Sequence, residues 1–208
     1  MPETFGNFVE MGDTQEYLII SFSCSTLSIR DRWRNNSLSA DFLASYWGTF
    51  FPLYPGESKH HRAEVQDTVS YIANELLENA IKFSYEPAGI PIRIGIYLSN
   101  AILRFSVTNS LNSETVAGFQ NYLQKLLSEE PGELYIRQLE RNARDESGTE
   151  SRLGFLTLLN DYEAQLGWKF DTLPNSAGLK CATVTTMVEL AIVRKDRASP
   201  GTIRTEGV

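Results

Sequence analysis

The strongest constraint in the chain is a change of hydrophobic period just after Phe83. From about Arg62 to Phe83, the residues Val65, Val69, Ile72, Leu76 and Phe83 fall on one stripe at helical spacing, and the pattern stops before Pro87-Ala88-Gly89. Then Ile92, Ile94, Ile96 and Leu98 alternate with Arg93, Gly95 and Tyr97, and after Ser99-Asn100 the residues Leu103, Phe105 and Val107 alternate with Arg104 and Ser106. A period of about 3.6 giving way to a period of about 2 predicts a long amphipathic helix followed by a β-hairpin.

The rest of the chain extends this α/β pattern. Tyr17 to Ser23 reads as a strand, and Ala40 to Phe51 as a helix that stops before Pro52, with Tyr54 to Lys59 as a loop. Between about Ser110 and Thr149 the chain turns helical and polar, in two stretches, Val116 to Leu127 and Leu134 to Arg144, broken at Pro131-Gly132. A polar insert of this length between two sheet elements is expected to be a lid, spanning 110–149. Leu153 to Leu166 reads as a helix ending at Gly167, and Trp168 to Leu173 and Ala182 to Val193 as closing strands joined by a turn at Asn175 to Gly178. The tail, 195–208, is expected to be disordered.

Charge and composition narrow the function. With 19 basic and 26 acidic side chains the net charge is −7, which argues against broad nucleic-acid binding. No apolar run approaches the roughly 18 residues needed to span a bilayer, and the acidic start, Met1 to Gln15, lacks the features of a secretory signal. A cytoplasmic protein with no membrane partner is expected. Cys24 and Cys181 have no metal-ligand spacing and are expected to be buried free thiols.

On the long helix, Glu75, Asn79 and Lys82 are spaced i, i+4 and i+7 and fall within roughly 60° of arc. That face borders the apolar stripe, so it is either a polar lining of a half-buried cleft or an exposed Glu-Lys rim. Their setting, Asn74 to Ser84 (NELLENAIKFS), resembles the N-box of the GHKL ATPases and kinases. The resemblance implies that Asn79 provides an oxygen ligand for Mg²⁺, a hard cation, and that Glu75 is the general base activating water or a protein hydroxyl. It places Lys82 near phosphate, where the alternative is a helix-end lysine reaching solvent. Glutamate at position 75 resembles the ATPases and the anti-sigma-factor serine kinases, since sensor histidine kinases usually carry Asn there. His60-His61 lacks a phospho-acceptor pattern around it and is expected to be a surface pair.

Ser151 to Asn160 (SRLGFLTLLN) resembles the second glycine box of the anti-sigma kinases, with Ser151, Gly154 and Phe155 in matching places. Small residues there let backbone N–H groups approach a phosphate. Arg152 stands where that family has a glycine and would either clamp a phosphate or block one; Gly148 and Thr149 either add donors or form an ordinary loop. Asn109 is in phase with Leu103, Phe105 and Val107, so it should face inward where the family's first glycine box has an adenine-binding Asp, and its amide oxygen can accept from adenine. The two glycines of that box are absent.

The resemblance covers about 62–193, leaving 1–60 as a strand-helix extension before a GHKL-like domain over 61–194. Including Tyr135-Ile136-Arg137-Gln138-Leu139-Glu140 and Leu153-Gly154-Phe155, the pattern is also similar to the SiaB-type protein kinases, cyanobacterial and proteobacterial regulators paired with STAS-like phosphoproteins. It implies an α/β two-layer sandwich of the Bergerat type, with helices on one face of a mixed, mostly antiparallel sheet. The implied function is an ATP- and Mg²⁺-dependent serine/threonine protein kinase acting on a STAS-like or other regulatory protein. Arg152 and the missing glycines leave open a module that docks a partner without turning over nucleotide, and a homodimer also stays open.

Overall fold

Once Ile92–Ser99 (β3) and Ile102–Asn112 (β4) pair antiparallel, with Arg93 opposite Thr108 and Leu98 opposite Leu103, their alternating apolar residues share one face. That face floors the core: Ile92, Ile94, Ile96, Leu103, Phe105 and Val107 are all buried. The structure is a computed structural model that describes residues 2–12, 16–23, 29–50, 59–99, 102–144, 153–172 and 181–191, with the side chains of 29–37, 50 and 59–62 left aside. Cys24, the His60-His61 side chains, most of the Tyr54 to Lys59 loop, the Asn175 to Gly178 turn and the tail from 195 therefore lie outside the described residues.

Four more strands complete the sheet: Glu3–Gly6 (β1), Glu16–Phe22 (β2), Gln165–Thr172 (β5) and Cys181–Ala191 (β6), in the order β1-β5-β6-β4-β3-β2. Every neighbouring pair is antiparallel, so the expected mixed sheet gives way to a fully antiparallel one among the described residues. For β3–β4 and β5–β6 the reason is connectivity: the joining segments are shorter than the dozen or more residues a parallel crossover needs. Residues 3–22 supply both edges of the sheet. Cys181, opposite Asn112 at the start of β6, is a free thiol.

The helices form one layer on the buried face. Ile29–Trp47 (α1) begins well before the expected Ala40, because its polar first half carries no apolar stripe to reveal it; Ala40, Leu43, Ala44 and Trp47 then bury at helical spacing. It packs on Lys59–Phe83 (α2), which buries Val65, Val69, Ile72, Leu76 and Ala80 against the core. Phe83 departs from the expected stripe and is exposed: it lies beyond Ala80, the last buried residue of the helix, with the Lys82 ammonium 5.3 Å from its ring centroid.

Strand β4 runs to Asn112, past the Ser110 boundary expected for the lid. There Asn112 caps Ser113–Ser128 (α3), its side-chain oxygen accepting from the Glu114 N–H at 3.0 Å. Pro131–Arg144 (α4) starts with proline in its first turn, and the Glu130 carboxylate accepts from the Glu133 N–H at 2.8 Å. Leu123 and Leu126 anchor α3 in the core, whereas no residue of α4 is buried. The helix expected over Leu153 to Leu166 is shorter, Gly154–Asn160 (α5), because Gln165 and Leu166 already pair with Glu189 and Val188 in the sheet. No described helix is long and apolar enough to cross a membrane.

No described helix packs on the far side of the sheet, which is largely polar apart from the buried Met187. An Arg104–Glu189 ion pair, a Thr108–Thr185 hydroxyl contact of 2.9 Å and the stacked rings of Tyr17 and Tyr97 lie there. Residues 7–10 cross it: Phe8 backbone atoms occupy the space where a side chain on Gly167 would stand, and Glu10 reaches Lys169 at 2.7 Å.

Candidate functional site

Residues four apart on a helix stack one above another, so Tyr71, Glu75 and Asn79 form a row along α2. Glu75 and Asn79 are half-buried, while Lys82, one turn further on, is exposed. The row faces α5. A methyl group at Gly154 would collide with a Glu75 carboxylate oxygen and would stand 3.9 Å from the Asn79 amide nitrogen. Glycine is therefore what allows the first turn of α5 to lie directly on the carboxylate.

Aromatic contacts hold this arrangement. Tyr71 stacks on Tyr162 with centroids 5.2 Å apart, and its side chain hydrogen-bonds to Thr157 of α5. On the sheet side, Phe155 meets Trp168 edge-on at 5.3 Å. The sequence reading misses Tyr71, Thr157, Tyr162 and Trp168. The signal available for Tyr71 is its place one turn before Glu75 in the same row.

Burial raises the Glu75 pKa above its ordinary value, and the negative charge of Glu78 adds to the shift. The folded state thus holds the Glu75 proton more tightly than the unfolded chain does. Ionised Glu75 costs stability as pH rises from the ordinary carboxylate range through its raised folded value, and the cost is complete above that value. In urea melts at pH 7, Glu75→Gln is expected to be more stable than the wild type, with the gap closing as pH falls below about 4.5, the ordinary value. A gap that does not depend on pH would assign the effect to packing instead.

Asn109 faces inward, as its phase predicts, and is only 5% exposed. Its amide nitrogen donates to the Ser110 carbonyl at 3.0 Å. Ser110 is tied in turn to the end of α2, its hydroxyl donating to the Tyr85 carbonyl at 3.1 Å and its carbonyl accepting from the Tyr85 N–H at 3.2 Å. Close by in the chain, the Ser84 hydroxyl is buried without a hydrogen-bond partner. Thr186, on the same sheet face as Asn109, is a further buried polar residue that the sequence reading does not single out.

The structure thus brings Glu75, Asn79 and Gly154 together, places Asn109 on the inner face of the sheet and leaves Lys82 in solvent. Gly148, Thr149, Ser151 and Arg152 lie outside the described residues. An amide and a carboxylate are the kinds of oxygen donor that a hard cation takes, few at a time for Mg²⁺.

No protein-family model matches the chain, and none of the curated proteins does. Among solved structures the chain is similar to one from the SiaB-SiaC complex of Pseudomonas aeruginosa, with a TM-score of 0.52 and 12% sequence identity, over 83% of this chain and 89% of that one. At that identity the likeness is one of fold: this antiparallel α/β sandwich is SiaB-like.

Proposed function

We propose that the protein is a regulatory serine/threonine kinase with a Bergerat-type nucleotide site, phosphorylating a STAS-like partner at the expense of Mg-ATP. The observation that carries this reading is the half-buried Glu75 carboxyl, its pKa raised, beside Asn79 and Gly154 at the junction of α2 and α5. A carboxylate whose pKa moves toward neutrality is a better general base than an exposed one. Glu75 takes the proton from the partner's hydroxyl as its oxygen bonds to the γ-phosphorus; the bond to the β-phosphate oxygen breaks and ADP leaves. Asn79 would hold Mg²⁺, which would supply positive charge to offset that of the phosphate oxygens. Asn109 accepts from the adenine amino group. The fold likeness to a chain crystallised within a two-protein complex supports a protein partner.

The contact between Gly154 and Glu75 favours a second reading. A phosphate entering between α2 and α5 has to displace either the start of α5 or the Glu75 side chain, and a docking module without turnover has no need of that motion.

Calorimetry with Mg-ATP tests nucleotide binding. Asn79→Ala is expected to weaken Mg-dependent binding by about tenfold or more, the scale of a lost charge-assisted contact, while the melting temperature stays close to wild type because Asn79 borders the core. A folded wild type that gives no heat at millimolar Mg-ATP ends the kinase reading and leaves the docking module.

A further inference from the structure

No residue of α3 or α4 belongs to the Glu75 row, yet together with Leu156 of α5 the two helices line an open cavity of about 90 Å³. Leu126, Leu134 and Leu156 form its apolar floor, and Lys125, Arg137 and Arg141 converge on it from two helices. In a chain of net charge −7, three cations around one small cavity require an electrostatic account. One carboxylate partly supplies it: Glu129, between the two helices, pairs with Arg137 and lies 3.8 Å from the Lys125 ammonium. Arg141 has no ion-pair partner among the described residues. The residues that line the cavity thus include three cations and no acid, with Glu129 holding Arg137 from outside the lining.

We infer that this cavity binds a phosphoryl group. A phosphate near neutral pH carries between one and two negative charges, and a lining of three cations with no acid attracts such a group. Two guanidinium forks and one ammonium supply the geometry that tetrahedral oxyanions accept. The apolar floor strengthens each charge contact by keeping water from one side. At about 90 Å³ the cavity has room for several waters and so for a group the size of a phosphate. The site is separate from the one built on Glu75. Leu156 lines the cavity, whereas Gly154, two residues and so roughly 200° away around α5, touches Glu75.

The source of the phosphoryl group is either free phosphate or a phosphorylated side chain of a protein, and the test separates them. Inorganic phosphate and a short synthetic phosphoserine peptide are titrated separately into the full-length chain at constant ionic strength, with sodium chloride as control. Binding is followed through the Nε–H NMR signals of the arginines. Saturable shifts with either probe are expected, at least about tenfold weaker in Arg141→Gln and in Lys125→Gln and several-fold tighter in Glu129→Gln, which frees the competing cations. A peptide at least tenfold tighter than phosphate points to a protein source, and equal affinities point to free phosphate. The inference is overturned if the folded wild type shows no saturation with either probe, if chloride reproduces the shifts, or if both cation variants bind as tightly as the wild type. Nucleotide calorimetry on the same samples reads the Glu75 site independently, so the two claims fail separately.

Discussion

Glu75→Gln is expected to bind Mg-ATP with an affinity near that of the wild type and to transfer phosphate to its partner about 10²- to 10⁴-fold more slowly, the loss typical of removing a general base. The substitution keeps the size of the side chain and its place against Gly154, so the proposed nucleotide site keeps its shape. It removes the only half-buried acid of the row that faces α5, and no oxygen of the new amide takes a proton near neutral pH. The assay uses radiolabelled γ-phosphate and a purified STAS-like partner. Equal labelling by both proteins would rule Glu75 out as the base. No labelling by either, with partner binding confirmed, would move the function to docking.

Trp168→Ala is expected to cost ~3–5 kcal/mol, the range for deleting a fully buried aromatic side chain, and to lower Tm by about 10 °C in a chain of this size. Trp168 is fully buried on β5, and Phe155 of α5 rests edge-on against its ring. Removing it leaves a cavity under the helix that sets Gly154 on Glu75. Amide exchange in α5 should therefore speed up more than in α2, even after the global loss is allowed for. Trp168→Phe keeps most of the ring and removes an indole N–H that is buried without a partner, so its cost should be far smaller. A loss below about 1 kcal/mol for the alanine variant would show that the neighbouring side chains close the gap.

The hairpin was legible because each residue of β3 and β4 reports on one face only, and a strict alternation of apolar and polar residues fits a half-buried strand where a helix would break it within one turn. The same phase put Asn109 inside. Strand β1 carried no such signal: four residues are too few for a period, and its partner β5 lies more than 160 positions away. The run from Leu153 to Leu166 read as a single helix because apolar residues on both sides of Asp161 fit a helical spacing. Only the pairing of Gln165 and Leu166 with β6 assigns its last two residues to the sheet.

At the candidate site the division is similar. The spacing of Glu75, Asn79 and Lys82 determined that they share a helix face, since that depends on local geometry alone. Which of them would be half-buried depended on what packs against the face. Helix α5 covers Glu75 and Asn79 and stops short of Lys82, and this follows from Phe155 on Trp168 and Tyr162 on Tyr71, contacts that bring together different elements of the fold. By itself the sequence determined the periods, the faces and the inward phase of Asn109. The tertiary structure decided burial, and with it the raised pKa of Glu75, because desolvation is set by the neighbours a fold assembles and not by the residues alongside in the chain.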